Sequence, residues 1–373
     1  MSTLRCENLT KRYPDQEQYA LGSAEDGVSF DVEPGELFAL LGPSGCGKTT
    51  TLRIIGGFVE PTAGRVLIEG DDVTADAPYD RPTNTVFQSY ALFPHLTVCA
   101  NVEFGLKMDR VRKKERRERA LEALRIVGLE AMADRRVSAL SGGQQQRAAL
   151  ARAMVKQPSV LLLDEPFGAL DLRLRRQMQD ELVRLKQATG TTFVHVTHDQ
   201  EEACAISDRI AVMDAGRIVQ VDTPVELYRA PRTSYVATFV NAGTVVHGEH
   251  ARSGDVVRVE RSGLVVEGQA PGWAGADTRF AAVLPPDRIS LGRVGANGGP
   301  SGGSTTGRVD HVTFTGSVFD VHVRVDSDLD LVAAVSREEM PDADALPLEP
   351  GSEVALSWDP RDVVLVEDTG GVD

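Results

Sequence analysis

The chain has 373 residues, which suits two domains better than one core. Hydrophobic residues make up 42% and charged residues 25%, the makeup of a folded globular protein, which argues against extensive disorder. A formal charge of −15 argues against nucleic acid or an anionic membrane surface as a partner of the chain as a whole.

In chain order, Met1–Gln18 has no apolar core, so no signal peptide is expected. No apolar run approaches the ~20 residues that span a bilayer, so work at a membrane would need another chain as anchor. Cys6, Cys46, Cys99 and Cys204 are widely spaced and form no C-x-x-C pair, which fits reduced cytoplasmic thiols. Glu36–Gly42 (ELFALLG) reads as a buried strand. It feeds GPSGCGKTT, comprising Gly42, Pro43, Ser44, Gly45, Cys46, Gly47, Lys48, Thr49 and Thr50. Gly42–Thr49 fits G-x-x-x-x-G-K-[ST] between a strand and a helical run, the context a phosphate-binding loop needs. Glycines let backbone N–H groups turn toward phosphate oxygens, and the helix N-terminus adds partial positive charge. Lys48 is placed for the β- and γ-phosphates, and Thr49 for Mg²⁺.

Asn84–Gln88 reads as a second strand. Gln88–Leu106 follows and gathers Tyr90, Leu92, Phe93, Pro94 and Leu96 into a short stretch, in a helical subdomain expected at about 91–156. The basic run Arg110–Arg119 is interleaved with acids and reads as a solvated helix face. In Leu140–Arg147 (LSGGQQQR), Ser141, Gly142, Gly143 and Gln144 offer a second anion cradle at a helix N-terminus. Ser159–Asp164 (SVLLLD) is a strand whose last residue, Asp164, emerges where open α/β sheets bind ligands. That carboxylate suits Mg²⁺, and Glu165 beside it suits polarising an attacking water. Leu174, Met178, Leu182 and Leu185 share one face of a helix ending at Gly190. Thr191–His198 and Arg209–Asp214 complete the strands of a largely parallel sheet. After Asn241 helical periodicity fades and strand alternation takes over, interrupted by the flexible run Gly292–Gly303; a separate β domain is expected over 241–373.

Together GPSGCGKTT, LSGGQQQ, LLLDEP and HVTHD, in this order, resemble the ATP-binding subunits of ABC transporters. The resemblance implies an α/β P-loop ATPase domain over 1–240 with its helical subdomain, followed by an all-β, OB-like domain. It implies ATP and Mg²⁺ as ligands. By the same resemblance Tyr13 stacks on adenine and Gln88 senses the γ-phosphate, touching Mg²⁺ and the water. Ser141, Gly142 and Gly143 contact ATP held by a second copy, Asp171 crosses the dimer interface, and His198 meets the γ-phosphate. ATP then bridges a homodimer at the cytoplasmic face of the membrane, peripheral to permease subunits that dock near Gln88–Leu106 and receive cargo from a substrate-binding protein. The β domain resembles that of importers, and the stretches NTVFQSYALFPHLTV and SWDPRDVVLVED are most similar to polyamine importer ATPases. Iron(III), sulfate or sugar importers are the alternative; a soluble, non-transport ABC ATPase and a non-catalytic regulatory module are readings from other classes. Where related subunits often read L-R-P-E-D, this chain has Leu284, Pro285, Pro286, Asp287 and Arg288, so no contact of that arginine carries over.

Overall fold

The computed structural model describes residues 2–14, 17–168, 170–294, 303–338, 346 and 348–370. It divides into two compact units, Met1–Pro224 and Val225–Asp373. Most of the expected flexible run after Gly292 lies outside the described residues.

The first unit contains, in order, β1 (Leu4–Arg12), β2 (Tyr19–Leu21), β3 (Val28–Val32), β4 (Leu37–Leu41), α1 (Lys48–Ile55), β5 (Ala63–Ile68), β6 (Asp71–Asp72), β7 (Thr83–Val86), α2 (Val98–Met108), α3 (Lys113–Ile126), α4 (Gly142–Met154), β8 (Val160–Asp164), α5 (Leu172–Thr189), α6 (Gln200–Ile206), with β9 (Thr192–Thr197) between the last two helices, then β10 (Arg209–Asp214) and β11 (Arg217–Asp222). The central sheet has the order β11-β10-β4-β9-β8-β7; β10, β4, β9, β8 and β7 run parallel and β11 is an antiparallel edge. Its inner strands β4, β8 and β9 are buried along almost their whole length because helices and a second sheet cover both faces, and β9 carries the buried polar residues Thr192, His195 and Thr197 among its apolar ones. β1, β2, β3, β5 and β6 form that second, antiparallel sheet, and Leu4, Phe30, Val66 and Leu40 share a core with Leu52 of α1. The other core joins the sheet to α2, α3 and α4, whose buried residues include Val102, Leu124 and Ala149.

Most of the basic run becomes α3, which buries Ala120, Ala123 and Leu124 and exposes Lys113, Lys114, Glu115, Arg117 and Glu118, while Arg116 is largely buried. Arg116 pairs with Glu103, and Arg117 with Asp134. On α5, Met178, Leu182 and Leu185 are buried, Leu174 half-buried, and Gly190 closes the helix in the left-handed region. Arg81, almost wholly buried, caps the end of α1 by donating to the Ile54 and Ile55 carbonyls at 2.8 and 2.9 Å.

The second unit begins sixteen residues before position 241, the change of texture expected from the pattern (241 less 225). The reason lies in its two leading helices, α7 (Pro224–Arg229) and α8 (Ser234–Phe239). Ala237 of α8 and Ala242 pack with Ala281, Val283 and Val366 of the β region, so helical sequence is built into the β unit. The remaining strands form three antiparallel sheets around a core that includes Trp358, Phe280, Val321 and Leu356. Pro285 leads into a short 3₁₀ turn at Pro286–Arg288, and Arg288 pairs with Asp287 at the surface.

Candidate active site

The C-terminal ends of the parallel strands carry the site. β4 delivers the chain into the loop Gly42–Thr49, and α1 starts at Lys48. Gly47 is the N-cap, at φ 101°, and a Cβ there would stand 2.7 Å from the Ala20 carbonyl oxygen. Only glycine meets both demands without strain. The Lys48 side chain is almost fully buried and folds over its own loop, donating to the carbonyls of Gly42 and Pro43, each at 2.7 Å. The Cys46 sulfur lies 3.7 Å from the same ammonium, and burial pushes that thiol's pKa up. A cation resting on carbonyls above a helix N-terminus is a site arranged for an anion that takes the carbonyls' place.

Asp164 ends β8. Burial raises its pKa above the ordinary carboxylate value, Arg53 opposes that, Glu165 adds to it, and His195 and Lys48 oppose it. The carboxylate thus sits within the field of the loop lysine. Thr49 and Asp164 offer a hydroxyl and a carboxylate, the hard oxygen donors that Mg²⁺ takes together with phosphate and water. These residues fit that metal.

Glu165 follows at φ 44°, a left-handed conformation costing about 1–3 kcal/mol in a non-glycine residue. Its N–H donates to the Val196 carbonyl of β9 at 3.1 Å, which holds the turn. Its Oε1 lies 3.2 Å from His198 Nδ1, and its Oε2 accepts from Gln88 Nε2 at 3.5 Å. The fold therefore brings Gln88 and His198, from beyond the ends of β7 and β9, onto the Glu165 carboxylate beyond the end of β8.

The other expected residues stand apart from that cluster in their bonding. Ser141 caps α4, accepting from the Gln144 N–H, while Gln144 Oε1 accepts from the Ser141 N–H. This reciprocal box is a strong helix start. Ser141 and Gly142 are exposed, and Gly143 is buried against Leu174. Asp171 likewise caps α5, accepting from Leu174 N–H at 2.9 Å. Tyr13 follows β1 with the Lys11 ammonium 5.2 Å from its ring. A second aromatic, Tyr19 on β2, is one residue from Ala20, the backbone that abuts Gly47. Sequence reading missed Tyr19 because its closeness to the loop arises only when β2 pairs with β1.

The stretch after Gln88 divides. Tyr90, expected on an exposed docking surface, is buried in the core, with its hydroxyl donating to the Pro166 carbonyl at 3.4 Å. Leu92 packs against the same core. Phe93 is half-buried on Phe104, with ring centroids 4.5 Å apart, while Pro94 and His95 are exposed. Tyr90 turns inward because the chain takes the left-handed conformation there and again at Ala91.

A phosphate loop, a strand-end acid pair and a capped LSGGQ helix on one sheet define an ATP-binding cassette. Comparison with known proteins agrees. The family model described as ABC transporter matches residues 26–168, and that described as TOBE domain matches 282–366. The chain is 46% identical over 372 residues to the spermidine/putrescine import ATP-binding protein PotA of Rubrobacter xylanophilus, covering 97% of this chain and 93% of that protein. It is 46% identical over 341 residues to the protein of the same description from Thermobifida fusca, covering 91% and 87%. Among solved structures it resembles the cassette MJ0796 in a dimeric post-hydrolysis state with ADP and phosphate, at 36% identity and TM-score 0.51, over 59% of this chain and 98% of that one. It also resembles cbiO1 of Clostridium perfringens, part of a cbiONQ transporter complex, at 30% identity and TM-score 0.56, over 61% and 90%. The chain belongs to the ATP-binding subunits of ABC transporters that carry a C-terminal TOBE domain, and it is an ATPase of that family. Among the described residues no helix is long and apolar enough to cross a membrane.

Proposed function

We propose that this chain hydrolyses ATP to drive a polyamine importer, working as a homodimer on the cytoplasmic face of the membrane. The observation that carries the hydrolytic part is the convergence of Gln88 and His198 on Glu165. The cargo rests on the likeness to spermidine/putrescine import ATP-binding proteins along nearly the whole chain.

In this reading Gly42–Thr50 wraps the phosphates of ATP, and Lys48 exchanges its two carbonyl partners for β- and γ-phosphate oxygens. Such a fixed cation in a sheltered site stabilises the charge that develops during phosphoryl transfer. Thr49 and Asp164, with Gln88, would hold Mg²⁺, which when bound neutralises phosphate oxygens. Glu165 takes a proton from the attacking water at its carboxylate. Gln88 orients that water, and His198 fixes the carboxylate and meets the γ-phosphate. Tyr13 stacks on adenine. Ser141, Gly142, Gly143 and Gln144 of one copy face the ATP of the other, where their exposed helix N-terminus favours an anion. Asp171 stands at the same interface. Closure is a shift toward the state that binds ATP better. Phe93 and its exposed neighbours would receive the permease, which in turn receives polyamine from a binding protein.

Glu165→Gln tests the hydrolytic centre. It preserves shape but removes the charge that accepts the proton, so phosphate release should fall by ~10²–10⁴, the usual contribution of a general base. ATP should still bind, and gel filtration with ATP and Mg²⁺ should show a dimer. A wild-type rate of phosphate release would remove Glu165 from this role. Uptake of labelled spermidine in cells lacking the gene tests the cargo: it should fall more than uptake of iron, sulfate or maltose.

A further inference from the structure

Arg152 lies near the C-terminal end of α4, the helix that Ser141 caps. Its guanidinium donates from Nη1 to the Ala91 carbonyl at 2.7 Å and from Nη2 to the Tyr90 carbonyl at 3.0 Å, and lies 5.7 Å from the Phe93 ring centroid. Among the described residues it forms no salt bridge. Burial draws its pKa below the ordinary arginine value. A desolvated cation without a carboxylate is costly unless something else is gained.

What it grips is an unusual turn. Tyr90 and Ala91 are consecutive non-glycine residues at φ 61° and 46°. Such backbone persists only when its surroundings over-determine it. A planar guanidinium offers two adjacent carbonyls a donor each in one rigid fork, whereas an ammonium sits on a flexible stem. Gln88 lies inside the preceding turn, closed by the Tyr90 N–H donating to the Phe87 carbonyl at 2.8 Å. The Tyr90 hydroxyl anchors the same turn to Pro166, beside Glu165.

We infer that Arg152 is a positioning residue for ATP hydrolysis: by clamping the Tyr90–Ala91 turn from α4, it holds Gln88 within reach of Glu165. The inference rests on the reading of Gln88 and Glu165 as the groups that handle the water. It also gives the helix that begins at Ser141 a grip on the turn that follows the hydrolytic glutamine, so α4 reaches from the cap at Ser141 to that turn.

The test uses the full chain and steady-state ATP hydrolysis. Arg152→Gln should lower kcat by up to ~10²-fold, the scale on which a misplacement of about 1 Å acts, while KM for ATP stays within about twofold because the phosphate loop is untouched. Ala91→Gly in the same chain should restore part of that loss, since glycine takes the left-handed turn without a clamp. Alone, Ala91→Gly should leave kcat near wild type. Arg152→Lys should fall between Arg152→Gln and wild type. A wild-type kcat in Arg152→Gln, or a loss that Ala91→Gly does not relieve, overturns the inference. If Arg152→Gln does not fold, Arg152→Lys decides: it keeps the charge but loses the fork on the two carbonyls, so kcat should drop with KM unchanged, and a wild-type kcat overturns the inference. Glu165→Gln run alongside separates the two readings. A wild-type rate there overturns the hydrolytic assignment itself, whereas an inactive Glu165→Gln beside a fully active Arg152→Gln removes only Arg152.

Discussion

The phosphate loop at Gly42–Thr49 and the cap at Ser141–Gln144 both present backbone N–H groups at the start of a helix, yet they are built in opposite ways. The loop is formed by its own glycines: Gly45 and Gly47 sit at φ 85° and 101°, where other residues would be strained, and Lys48 is buried against two carbonyls of the same loop. It is a cradle that one chain makes alone, with Pro43, Ser44 and Gly45 at the surface. The cap uses its side chains on itself, Ser141 and Gln144 satisfying each other, and leaves Ser141 and Gly142 at the surface. It is a flat half-site, which suits a ligand already held elsewhere. On the proposed reading, a nucleotide held by the loop would recruit the cap from another copy.

The sharpest way to break this contrast is Lys48→Ala. The loop loses the cation for which its carbonyls are arranged, and phosphate release should fall by ~10²–10³ or more, the scale of losing one preorganised electrostatic group. Gly142→Ala should produce a smaller and more selective loss. A Cβ there meets only the Leu170 side chain, at an ordinary 3.9 Å, so thermal stability and ATP binding by the monomer should hold. Turnover should fall because the bridging face gains a methyl group; a variant with full turnover would separate this cap from the nucleotide. Gly47→Ala should by contrast damage the fold itself by about 1–3 kcal/mol, since the new Cβ meets backbone at a left-handed φ. Urea denaturation of both glycine variants compares them directly.

A smaller effect distinguishes Asp164. Its pKa is raised, chiefly by burial, so the folded state holds the proton more tightly than the unfolded state does. Its contribution to stability therefore declines as pH rises from the ordinary carboxylate value through the raised one, and the penalty is complete above that. Asp164→Asn should melt higher than wild type at pH 7, and the gain should vanish in acid below the ordinary aspartate pKa, while hydrolysis is lost. Equal melting temperatures at pH 7 would mean the burial is relieved in solution. The smallest expected change is in adenine binding: Tyr13→Ala should weaken ATP modestly, and the same measurement on Tyr19→Ala decides whether the aromatic beside Ala20 shares that task.

Much of this molecule was legible along the chain. The buried strands at Leu37–Leu41 and Val160–Asp164 were readable as apolar runs, and Thr192–Thr197 as a β-branched stretch around Phe193, Val194 and Val196, because a parallel sheet covered on both faces leaves no solvent side. The loop at Gly42–Thr49 and the cap at Ser141 were readable because their chemistry is local: neighbours in sequence are neighbours in space. The pairing of Glu165 with Gln88 and His198 needed the sheet to set β7, β8 and β9 side by side, so the family resemblance named these residues but not their contact. The inward turn of Tyr90, the clamp of Arg152, the approach of Tyr19 and the transfer of α8 to the β unit were decided by tertiary structure alone. Each depends on a left-handed residue, on an arginine that finds carbonyls distant in sequence, or on small residues that fit an adjacent sheet. Hydrophobic period records which face of an element is buried; it does not record which element will bury it.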